Sequence, residues 1–233
     1  MTEVLAATAP KAVWYVTRGT GVVTLLLLTS SVVLGILTSV RWSSNRWPRF
    51  VIEWLHRNVA LVVLVFLAVH VATAVIDGFV PLGWVDAVVP FRSGYRPLWV
   101  GFGAVALDLV IAVAVTSVMR VRVGYRAWRV VHWTAYACWP VALLHGLGTG
   151  SDSSQRWMLV VDAVAVVIVV IAVCWRVTFG WPARAGGRVA ALVAAALLPI
   201  ALAGWVAVGP LQPGWAKTAG TPVHLLSSGS GSR

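Results

Sequence analysis

The sequence predicts an all-α integral membrane protein whose chain crosses the bilayer six times, and three observations carry that reading. Of the 233 residues, 60% are apolar and 11% charged, with a mean hydropathy of +0.88, too little polar surface to cover a water-soluble globule. The apolar residues fall in runs long enough to cross, as helices, a hydrocarbon layer about 30 Å thick. Lys and Arg number 18, almost all of them arginine, and they cluster between those runs instead of lining one groove with interleaved aromatics. That placement favours membrane topology over nucleic-acid binding.

The first span is expected over about 13–40, with Arg18 a turn or more inside its amino-terminal end, within snorkelling reach of the interface or of an anion. Neither a basic leader nor a clear small-residue cleavage site precedes it, so this run is expected to remain in the mature chain. The loop RWSSNRWPR follows, its Trp42 and Trp47 suited to the headgroup level. The second span covers about 54–76. A long connection, DGFVPLGWVDAVVPFRSGYRP, is broken by Pro81, Pro90 and Pro97, and its middle is expected to lie along the membrane surface. The third span, about 98–119, leads into RVRVGYR. The fourth, about 128–147, ends in GLGTGSDSS, where Asp152 and Gln155 suggest a capping box for the fifth, about 157–177. The sixth covers about 189–208. Residues 1–208 thus form one helical domain, and 209–233, rich in Pro, Gly and Ser, are expected to be a flexible tail holding a solvated His224.

Small and polar residues inside the spans have ordinary explanations. Cys138 and Cys174 read as packing residues, Gly19, Gly21, Gly101 and Gly103 as close-packing sites, and Asp108 and Asp162 as interhelical polar contacts or arginine partners. Eleven basic residues (Arg41, Arg46, Arg49, Arg57, Arg120, Arg122, Arg126, Arg129, Arg176, Arg184 and Arg188) fall on one side of the expected topology and seven on the other. The first side is therefore expected to be cytoplasmic, with both termini extracytoplasmic and the protein in the cell membrane.

Four histidines are the chemistry-bearing residues of the spans. His56 and His70 are 14 apart in the second, and His132 and His145 are 13 apart in the fourth. Fourteen residues rise about 21 Å, so each helix carries one histidine toward each membrane face. An ionisable side chain in hydrocarbon is costly and marks a functional site by default. The inner pair would be His56 with His132, the outer pair His70 with His145. A zinc site calls for four ligands, or three with water, and no Cys, Asp or Glu sits at either histidine level of these helices. Heme needs only two axial ligands. With both positions filled by imidazole, the iron has no free site for oxygen and moves electrons. Arg129, three residues before His132, and Arg57, beside His56, are candidate partners for the inner propionates; Arg18, Arg92 and Arg96 are candidates on the outer side. In an ideal helix 14 residues return within about 40° of the starting face, whereas 13 leave the second histidine about 140° away, so Pro140 is expected to reorient the fourth helix.

The segments LHRNVALVVLVFLAVH, PFRSGYRPLWVGFG and RVVHWTAYACWPVALLHGLGTGSDS, with their four-histidine spacing, resemble the ferric reductase-like transmembrane family over about 13–178. That family includes NADPH oxidases, ferric-chelate reductases and the heme subunit of a methionine sulfoxide reductase system. The resemblance implies two stacked b-type hemes between the second and fourth helices, with the four histidines as axial iron ligands, and a role as an oxidoreductase component. Nothing after the sixth span has the glycine-rich fingerprint of a dinucleotide fold, so FMN or FAD would come with a partner. Expected partners are membrane lipid, a cytoplasmic flavin reductase or reduced flavin as donor, and an extracytoplasmic acceptor, either a protein or ferric iron. Arg92, Arg96 and Arg156 are expected to form a docking surface for that acceptor. The alternative is a transporter or metal permease using the histidines directly, although neither inverted repeats nor midplane-broken helices are evident in the chain.

Overall fold

A computed structural model describes residues 2–78, 80–179 and 185–228. Among these residues are eleven helices and no strand: α1 (Thr2–Ser39), α2 (Arg49–Ile76), α3 (Trp84–Val88), α4 (Pro97–Val118), α5 (Arg120–Val123), α6 (Tyr125–Trp133), α7 (Ala135–Thr149), α8 (Arg156–Thr178), α9 (Ala185–Val208), α10 (Trp215–Thr218) and α11 (Val223–Ser228). Five contain segments long and apolar enough to cross a membrane, namely Ala12–Ser39, Arg49–Ile76, Pro97–Val118, Arg156–Thr178 and Gly187–Val208. The fold is an all-helical, multi-pass membrane one.

The fourth expected span is not a single helix. It divides into α6 and α7 at Thr134, whose N–H and hydroxyl both donate to the Val131 carbonyl, at 3.0 and 2.7 Å. The Thr134 carbonyl in turn accepts from both Ala137 and Cys138, each at 2.9 Å. A hydroxyl that competes for a helical carbonyl tightens the turn toward three-residue spacing. Pro140, inside α7, removes a further N–H from the ladder. The break therefore falls between His132 and His145.

Two compact units divide the chain, the first comprising 1–25, 64–153 and 213–233, the second 26–63 and 154–212. In the first, α4 packs on α7 and α3 packs on α4, with Trp99, Ala104, Ala106, Cys138, Leu143 and Leu147 buried. Alanines and glycines at this interface let the helix backbones approach, which is how helices associate where lipid removes the hydrophobic drive. In the second, α8 packs on α9, and Ile36, Ile52 and Ala165 are buried.

Several loop and end expectations change. Asp152 does not cap α8: Gln155 is the N-cap without a side-chain bond, and the Asp152 carboxylate pairs with Arg18 instead. The guanidinium of Arg18 also lies 3.8 Å from the Trp14 ring centre. Within the stretch expected as a tail, short helices and packed side chains are found among the described residues. Residues 215–218 and 223–228 are helical, Ala219 is buried, and Trp215 packs on Trp99 at 5.4 Å between ring centres. Residues 229–233 and Arg184 lie outside the described residues.

Candidate functional site

His70 on α2 and His145 on α7 face each other in the first unit, with ring centres 6.3 Å apart and ring planes at 81°. Each ring is held by a backbone carbonyl. His70 Nδ1 lies 2.8 Å from the Thr17 carbonyl of α1, and His145 Nδ1 lies 2.8 Å from the Trp99 carbonyl of α4. A carbonyl can only accept, so both imidazoles carry a proton on Nδ1, and in the neutral ring that leaves Nε2 as the nitrogen able to bind a metal.

The helices make room for these rings by the same device twice. Four residues after Thr17 stands Gly21, where a Cβ would lie 3.0 Å from His70 Cε1; four residues after Trp99 stands Gly103, where a Cβ would lie 2.6 Å from His145 Cε1 and Nδ1. In an α-helix residue i+4 sits over the carbonyl of residue i. A glycine there leaves that carbonyl open to a ring approaching from the side, and any larger residue would shield it. In the second unit Gly35 also leaves room for an imidazole, its absent Cβ falling 3.3 Å from His56 Cε1. Gly21 and Gly35 are 14 apart, as are His56 and His70. That shared spacing on neighbouring helices was the legible signal for Gly35, which sequence reasoning missed. The carbonyls of Thr17 and Trp99 left no such trace, because any residue type supplies a carbonyl. Of the other glycines expected to pack, Gly101 does, under Phe91, whereas a Cβ on Gly19 would meet nothing within 4 Å.

The separation of the two rings suits one metal ion between them. Metal–imidazole bonds of about 2.0 Å, with about 1.1 Å from nitrogen to ring centre, would put the centres of two imidazoles on opposite sides of one iron about 6.2 Å apart. The observed 6.3 Å matches that separation. His132 stacks on Trp128, with ring centres 4.9 Å apart and planes at 29°, and the Trp128 indole N–H donates to Ser117 Oγ at 3.2 Å. His132 belongs to the first unit and His56 to the second.

The expected arginines separate into distinct roles. Arg57 is exposed on α2 and lines a shallow surface depression with Phe50, Glu53 and Trp54. Arg129 is exposed and stands over Trp133 at 5.5 Å. Arg92 and Arg156 are exposed. Arg96 contradicts its expected place on a docking surface: it is 8% exposed. Its Nε donates to Thr221 Oγ1 and one terminal nitrogen to the Gly148 carbonyl, both at 2.9 Å, so its fork is spent inside the protein.

A family model described as ferric reductase like transmembrane component matches residues 20–144. The match includes His56, His70 and His132 and stops one residue before His145. No curated protein and no solved structure matches the chain.

Proposed function

The chain belongs to the ferric reductase-like transmembrane family, and from that premise we propose that it is a heme-bearing electron-transfer subunit of the cell membrane. The single observation that carries the proposal is the His70–His145 pair, two facing imidazoles whose tautomer is fixed by backbone carbonyls at a separation suited to one iron. A b-type heme held by two imidazoles supplies reversible one-electron chemistry at an iron closed to other ligands.

The chain's own residues account for the rest. Thr17 and Trp99 orient the rings and increase the basicity of Nε2, while Gly21 and Gly103 keep the carbonyls accessible. Four helices, α1, α2, α4 and α7, thereby contribute to one site. His56 and His132 are proposed as the ligands of a second heme, on the strength of their matched sequence depth and the Gly35 seat beside His56. Arg57 and Arg129 remain the proposed partners of its propionates. Arg18 is proposed to serve the other heme through its guanidinium edge not taken by Asp152. The positive-inside expectation sets the direction, from a cytoplasmic reduced flavin or flavin reductase to an extracytoplasmic acceptor.

Purification from heme-replete cells tests this. Two b-type hemes per chain with a low-spin spectrum are expected, and reduced flavin presented on one side of proteoliposomes should reduce an acceptor enclosed on the other. A colourless preparation overturns the proposal.

A further inference from the structure

Arg96 is out of keeping with an ordinary loop arginine. It occupies the N-cap of α4 with φ 40°, in the left-handed region where a side chain is strained. Strain of this kind persists only where the surroundings enforce it, and three hydrogen bonds do so here. Besides the bonds from Nε to Thr221 and from the guanidinium to Gly148, its backbone N–H donates to the Gly220 carbonyl at 3.1 Å. Gly220 has φ 91°, and a Cβ there would come within 3.2 Å of Pro97 Cδ. The segment 215–221 is thus seated on the first turn of α4 by contacts that admit little movement.

That turn carries Trp99. Its indole is 8% exposed, packs against Trp215, and lies where a Cβ on Gly148 would be 2.2 Å away. Its carbonyl accepts a hydrogen bond from His145 Nδ1–H. Gly148, which accepts from Arg96, is three residues beyond His145 on α7. Arg96 therefore grips both helices that hold the His145 ring, each about one turn from it. Its guanidinium meets carbonyl and hydroxyl oxygens and the Tyr95 ring at 5.3 Å, and among the described residues it meets no carboxylate.

We propose that Arg96 is a positioning residue for the His70–His145 site: it clasps residues 215–221 onto the start of α4, fixing the Trp99 carbonyl against His145, and its unneutralised charge favours the reduced state there. This rests on the heme reading above. A nearby positive charge stabilises the state with one positive charge fewer, so removing it lowers the midpoint potential. Arg96 and the first turn of α4 lie within the matched stretch 20–144, and the residues that Arg96 holds, Gly148, Gly220 and Thr221, lie beyond it.

The test uses the full-length, heme-loaded protein. Arg96→Gln should lower the midpoint potential of the heme that His70→Ala removes, shift its low-spin electron paramagnetic resonance signal, and raise hydrogen exchange in 97–103 and 143–150. Arg96→Lys should raise exchange but keep the potential, because the charge stays while the fork is lost. Thr221→Val should raise exchange alone. Unchanged potential, signal and exchange in Arg96→Gln overturn the proposal. Should that variant fail to accumulate, unchanged exchange in Arg96→Lys and Thr221→Val overturns it instead. A wild type without heme defeats the heme reading and the redox half of this proposal, while the exchange measurements still decide the clasp.

Discussion

Replacing Gly103 with alanine tests the imidazole seat most sharply. The added Cβ would stand 2.6 Å from both Cε1 and Nδ1 of His145. Reaching ordinary contact requires a displacement of about 0.8 Å, and the ring cannot take all of it without stretching its 2.8 Å bond to Trp99 toward the limit of hydrogen bonding. Overpacking of this kind costs about 1–3 kcal/mol, and an imidazole N–H left unsatisfied in a dry site costs about 1–3 kcal/mol more. Loss of a ligand's supporting hydrogen bond also lowers metal affinity about 10- to 100-fold. Gly103→Ala should therefore purify with heme lost from one site, a changed low-spin signal from what remains, and a lower thermal midpoint. Gly19→Ala is the control. A Cβ there meets nothing within 4 Å, so it should bind heme as the wild type does and gain up to about 1 kcal/mol of helix stability. Equal heme content, spectra and midpoints for Gly103→Ala and the wild type would refute the seat.

Other outcomes follow from the same contacts. His70→Ala and His145→Ala should each remove one and the same heme, because hydrocarbon offers no good substitute ligand; pyridine hemochrome quantification checks this, and a full complement in either refutes the pairing. Gly21→Ala should weaken the same site less than Gly103→Ala, since its Cβ would meet His70 at 3.0 Å, and Gly35→Ala, at 3.3 Å, should be the mildest of the three; the order of heme loss under mild detergent challenge measures it. Asp152→Asn breaks the pair with Arg18, whose partners are 24% and 19% exposed. It should lower the thermal midpoint by the equivalent of about 1–2 kcal/mol, between the surface and buried limits, with both hemes retained.

What the sequence disclosed depended on the range of the interaction involved. Apolar length placed the helices to within a few residues: the expected 98–119 appears as Pro97–Val118, and 157–177 as Arg156–Thr178. The division of the fourth span at Thr134 turned on its backbone N–H, together with its hydroxyl, choosing the Val131 carbonyl, whereas Thr20, Thr73 and Thr116 make the same hydroxyl bond inside unbroken helices, so residue type alone does not mark the break. His70 and His145 were legible because polar groups in hydrocarbon stand out, and the orientation of their rings follows from backbone carbonyls that composition cannot reveal. Arg96 misled because its partner Thr221 lies 125 residues away. A basic residue in a loop reads as solvated until the segment that covers it is placed. In the stretch 209–233, whose Pro, Gly and Ser content suggests a flexible tail, composition gives no sign that Trp215 packs on Trp99 or that Gly220 lies against Pro97.

The central claim is that His70 and His145 clamp one iron with their rings nearly perpendicular. Electron paramagnetic resonance of the oxidised protein addresses it directly, because crossed imidazole planes bring two iron d orbitals close in energy and stretch one g value far above the others. At 81° between planes, the wild type is expected to show a strongly anisotropic low-spin ferric component whose intensity falls in His145→Ala, whatever signal a second heme adds. A spectrum with no strongly anisotropic low-spin component, or one with the same anisotropic intensity in His145→Ala as in the wild type, would contradict the account.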